Sequence, residues 1–157
     1  MSLIQKRAER RLAIGPRDAD PWVPRHTFSA CLRVGDVGAR HDEICRVTGL
    51  VADEVHLAGE PDDECETGVW SRDLWSLESP LPREEPLSAH LAWLWTQVGP
   101  HVDYVRSLIV DGAAVDIFCG YISDCDHCGF DLDPGAMRLA DALGVTLGMN
   151  TIFVGRG

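Results

Sequence analysis

Leu87, Leu91, Leu94, Val98, Val102, Val105 and Ile109 recur at intervals of three or four residues. That spacing places them on one stripe of an α-helix. A one-sided helix of this length needs an apolar layer to cover it, so the rest of the chain is constrained to supply one. Gly99-Pro100 falls inside the run and predicts a kink or a split, because proline removes a helical hydrogen bond. Trp93 and Trp95 flank the stripe and are expected to pack there rather than hold a cofactor.

The covering layer reads as a sheet. Phe28, Ala30, Leu32 and Val34 alternate with Ser29, Cys31 and Arg33, the period of a half-buried strand. Gly35 to Gly38 turn the chain into a helix over 40–48, expected to bury Ile44 and Val47. Gly49 stands where a left-handed cap belongs, with Leu50 behind it. A short strand is expected over 54–58. Gly68 to Pro82, GVWSRDLWSLESPLP, reads as extended chain that puts Trp75 and Leu77 under the long helix. After Asp111-Gly112, Val115, Ile117, Cys119 and Tyr121 alternate with Asp116, Phe118, Gly120 and Ile122. Both sets are partly apolar, which predicts a central strand covered on both faces. Asp133-Pro134 is a cap followed by proline at a first helical position. Ala136, Leu139, Ala140 and Leu143 give that helix its buried face, Gly144 closes it, and a last strand is expected over 145–154.

The order predicts an α+β domain. A largely antiparallel or mixed sheet of about five strands carries two to three helices on one face. The first six elements follow a ferredoxin-like βαββαβ plan, with a helix and a strand added at the C-terminus. Residues 1–26, broken by Gly15-Pro16, Pro21 and Pro24, read as an N-terminal appendage. Residues 27–157 read as the single domain.

The net charge is −11, unevenly placed. Residues 1–27 hold six Lys/Arg against three Asp/Glu, a net of +3, which leaves −14 for the rest. An acidic body argues against nucleic acid, whose phosphates need Lys and Arg. It suits solubility, or attraction to a basic protein. No apolar run reaches the ~20 residues that span a bilayer, and no apolar stretch follows the basic start, so neither a membrane span nor a secretory signal is expected. The six cysteines then read as free thiols in a reducing cytoplasm. Glu60, Asp62, Asp63, Glu64 and Glu66 lack the spacing of a calcium loop and read as a solvated segment.

Cys125-Asp126-His127-Cys128 has a metal or redox spacing. Two thiolates across a tight turn hold zinc well, but a structural site needs four ligands. Cys125 and Cys128 are the candidate ligands, with His127. Cys119, Cys65 or His56 could complete the set only if the fold brings them close. His41 and Cys45, at i and i+4 of a helix, form a second candidate pair. A redox motif would need the first cysteine at a helix N-terminus, and here extended chain follows. No cofactor is expected, with zinc as the alternative. His90 and His101 are ~16 Å apart along the helix and read as surface residues. Glu78, Glu84 and Glu85 near Trp75 suggest an acid pair without any fixed separation. Ser76 and Ser79 have no base identifiable from sequence.

Five segments in this order and spacing carry a family resemblance: TFSACLRV at Thr27, GVWSRDLWSLESPLP at Gly68, LSAHLAWLW at Leu87, VDIFCGY at Val115 and GFDLDPGAMRLADALGVTLGMNTIF at Gly129. Together they resemble the domain of unknown function 4279 family over about Thr27 to Val154. The resemblance implies a small, mostly bacterial, cytoplasmic α+β protein with no catalytic residues to carry over. The family's loop after the CGY-like strand is usually glycine-rich and polar. Cys125 and Cys128 depart from it, so a metal site there would be particular to this chain.

A fold signature beside an incomplete catalytic set points to a non-enzymatic binding or protein-interaction module. One alternative is an immunity-type protein that masks a basic toxin. The other is a small metal-dependent enzyme using the cysteine loop.

Overall fold

The computed structural model describes residues 25–62, 68–125 and 129–154. Strand β1 (His26–Gly35) leads through a 3-10 turn (Gly38–Arg40) into α1 (His41–Thr48). β2 (Glu54–His56) and β3 (Leu74–Glu78) follow. Next come α2 (Leu87–Val98), a second 3-10 turn (Gly99–His101) and α3 (Val102–Val110). β4 (Ala114–Ser123), α4 (Arg138–Leu143) and β5 (Leu147–Phe153) complete the domain. The sheet order is β2-β3-β1-β4-β5, antiparallel except for the parallel β4–β5 pair. The fold is therefore α+β with a mixed five-stranded sheet. With α2 and α3 as one broken helix it has three helical units, and its order does not conflict with the βαββαβ plan.

Strand alternation divides the sheet into two unlike faces. Register places Val55, Trp75, Val34 and Val115 in one row and Leu77, Leu32, Ile117 and Leu147 in the next. Apart from Val55, which lies at the sheet edge and is 45% exposed, these side chains share one core with Ile44 of α1, Leu87, Leu91, Leu94 and Val98 of α2, and Leu139 and Leu143 of α4. Trp75 is 1% exposed and Leu77 is buried, as their place in the sequence predicts. β4 lies inside the sheet. Its second face is half-buried rather than covered, with Phe118 and Ile122 outside the core.

The long helix breaks at the expected place, but its downstream phase changes. Val105 and Leu108 are buried, whereas Ile109 is only half-buried. A 3-10 turn advances each residue by more than an α-helix does, so the stripe beyond Pro100 moves to a slightly earlier position. In α1 the buried residues are His41, Ile44 and Thr48, and Val47 is 45% exposed, contrary to expectation. Thr48 takes the inner place because its hydroxyl donates to the Ile44 carbonyl at 2.7 Å and accepts from Leu50 N–H at 3.1 Å. Gly49 is left-handed (φ 72°) and its N–H closes on Cys45 O at 2.8 Å, as a C-terminal cap requires. Asp133 caps a turn instead of the helix. Its Oδ1 accepts from Ala136 N–H at 2.9 Å, and α4 begins later, at Arg138.

Candidate functional site

The second face of the sheet holds the polar residues of the alternation. Glu54 of β2, Ser76 of β3, Arg33 of β1 and Asp116 of β4 form one row across four strands. Arg33 donates from Nε to Asp116 Oδ1 at 2.7 Å and from Nη2 to Asp116 Oδ2 at 2.5 Å, a two-pronged pair. Its guanidinium also lies 4.3 Å from the centre of the Phe118 ring. The hydrogen bonds to Asp116 hold the guanidinium above its ordinary pKa. Beside this row run Glu78, Cys31, Phe118 and Gly148. At the β2 edge, His56 stacks on Trp70 with ring centres 3.9 Å apart, and its Nε2 meets Glu54 Oε1 at 2.7 Å. The face thus presents a guanidinium, carboxylates and two aromatic rings whose orientations are set by each other.

Burial works against thiolate formation at the thiol on this face. Burial pushes Cys31 up to about 11, with Arg33 opposing. Cys119, inside the core, is pushed up to about 12 by burial and then by Cys31. Reactive cysteines need the opposite shift.

Of the candidate metal ligands Cys125, His127 and Cys128, only Cys125 lies among the described residues. Cys125 lies just past β4, where Ser123 fixes its backbone: Ser123 Oγ accepts from Cys125 N–H at 3.0 Å and donates to Cys125 O at 3.1 Å. His127, Cys128 and Cys65 lie outside the described residues. Cys119 is in the core and His56 is on Trp70. Cys45 sits at the core margin, while His41 faces Asp73. Among the described residues no group of three or more His, Cys, Asp or Glu could hold an ion.

Two buried polar pairs escaped sequence analysis. His90 is not a surface residue. It is 1% exposed, and its Nδ1 lies 3.1 Å from Ser79 Oγ, so Ser79 does have an imidazole partner. Both groups are buried. A serine nucleophile needs an accessible hydroxyl and a base held by a third group, whereas His90 Nε2 has no hydrogen-bond partner. Burial lowers the His90 pKa against the carbonyls of Glu85 and Pro82 and the carboxylates of Glu78 and Glu85. The second pair is His41 and Asp73, whose Nε2 and Oδ2 are 3.5 Å apart. Asp73 Oδ2 also accepts the N–H groups of Val37 and Gly38, each at 2.7 Å, and so anchors the turn in which Asp36 adopts φ 59°. Both pairs join separate elements of the fold. The signal that finds them is register and helix phase, not local motif.

Residues 26–153 match the family described as Domain of unknown function (DUF4279). Comparison with curated proteins and with solved structures gave no match. Among the described residues no helix is long and apolar enough to cross a membrane.

Proposed function

The chain belongs to the DUF4279 family, and from that premise we propose that it is a non-enzymatic binding module whose polar sheet face recognises a basic protein. The observation that carries this reading is the Arg33–Asp116 pair, seated on Phe118 in the row that also holds Glu54 and Ser76. Its side chains are pre-set by mutual hydrogen bonds and stacking. Binding to such a face costs less side-chain ordering than binding to a free surface. Trp70 and Arg33 are also of the residue types that concentrate binding energy at interfaces.

Charge supports the choice of partner. The strand positions of these rows hold Glu54, Glu78 and Asp116 against Arg33, on a body of charge −14. Opposite charge accelerates encounter, and salt weakens that help over a Debye length of ~8 Å at 0.15 M. The test is surface plasmon resonance against a basic partner recovered by pulldown, from low to high salt. The on-rate is expected to fall with salt, and Trp70→Ala is expected to weaken binding by ~10-fold or more. An on-rate flat in salt, or a partner as acidic as this chain, overturns the reading.

A further inference from the structure

The sheet ends in two unlike edges. β2 is three residues long, whereas β5 is seven and, among the described residues, pairs only with β4. Thr146 O accepts from Ile117 N–H at 3.0 Å, and Val154 N–H donates to Ser123 O at 2.9 Å. In the parallel register the peptide groups facing β4 alternate along the strand. Those of Leu147, Met149, Thr151 and Phe153 therefore face outward. Chains protect such edges with lysine, proline, bulges or brevity. LGMNTIF has none of these, and no charged side chain, in a chain of net charge −11. Met149 is 37% and Phe153 53% exposed.

We propose that β5 pairs antiparallel with β5 of a second copy of this chain, making one continuous sheet across a two-fold axis at Asn150. The register that uses the whole strand sets Leu147 opposite Phe153 of the partner copy, Met149 opposite Thr151, Gly148 opposite Ile152, and Asn150 opposite itself. Its parity is right. The outward-facing residues meet one another as hydrogen-bonded pairs, and Asn150 falls at a close, non-hydrogen-bonded position where two amides can bond. Bulk also alternates usefully, since Gly148 leaves room for Ile152. Such self-complementarity is what an isologous interface requires. Charge selects the same occupant. Two bodies of −11 repel elsewhere, so they meet most readily along an uncharged edge, while a basic peptide would find no carboxylate on β5.

Sedimentation equilibrium across a concentration series, at low and high salt, tests this on the full chain. The mass is expected to double with concentration, and the dimer to tighten with salt because like charge is screened. Binding of a basic partner would weaken with salt, so the two readings fail separately. Thr151→Pro removes an outward N–H and leaves the bonds to β4 in place, and Met149→Glu sets like charges across the seam. Each is expected to weaken association by ~10-fold or more while the melting temperature holds. If Thr151→Pro fails to fold, Met149→Glu decides. Amide exchange adds a readout: Met149 and Thr151 should gain protection with concentration, while Gly148 and Asn150 are protected throughout. A chain that stays monomeric at about 0.5 mM, or a dimer indifferent to Met149→Glu, overturns the proposal.

Discussion

His90 Nδ1 lies 3.1 Å from Ser79 Oγ, joining the first turns of α2 to the end of β3 inside the protein. Burial holds the imidazole below its ordinary value of 6.5, which favours its neutral form in the folded protein. The unfolded chain therefore takes up this proton first as pH falls, and stability is lost from about pH 6.5 downward until the folded value is reached. His90→Gln cannot titrate. The melting-temperature gap between wild type and this variant should shift against wild type from pH 8 to pH 5. A gap that stays constant would show that His90 is not buried neutral.

Trp75→Ala should cost ~3 to 5 kcal/mol in urea unfolding, because the indole fills the middle of the core. Trp75→Phe should cost clearly less. It gives up part of the ring but also removes Nε1, a buried donor without a hydrogen-bond partner. Equal losses for both variants would mean that fit, not area, governs the site.

Asp73→Ala leaves the Val37 and Gly38 N–H groups without their acceptor. Charge-assisted bonds of this kind are worth roughly 1.5 to 3 kcal/mol each, and less once water enters. Amide exchange at Val37 and Gly38 should accelerate well before the core opens. If those amides keep wild-type protection in the variant, another group anchors the turn.

Cys31 and Cys119, pushed up to about 11 and about 12, should resist iodoacetamide at pH 8 in the folded protein. Both should label on unfolding, as read by peptide mass spectrometry. Rapid native labelling of Cys31 would expose the polar face as more open than its burial implies. The same preparations bear on the cysteine loop: less than one zinc per chain is expected by elemental analysis. A stoichiometric zinc lost in Cys125→Ser would assign that loop a structural site.

Local chemistry made most elements readable. The three-four spacing of Leu87 to Val98, the alternation around Leu32 and the glycines at 49 and 144 all appear as expected. Each depends on a preference acting within one or two turns of chain. The misreadings share another cause. Val47 and Thr48 compete for one inward position, settled by a hydroxyl bond to Ile44 O. Ile109 yields to Leu108 because three residues of 3-10 turn rotate everything after them.

The candidate face shows the limit most clearly. Sequence alone determined that Arg33 points away from Leu32 and that Asp116 points away from Ile117, since alternation is a property of one strand. It also determined the acidity of the body and the strength of the long helical stripe. Only the tertiary structure decided that Arg33 meets Asp116, 83 residues away, and that His90 lies inside against Ser79. Strand register and helix phase come from the packing of the whole core. A one-residue slip would exchange the two faces, and the energy that forbids the slip is spread over every row of the sheet.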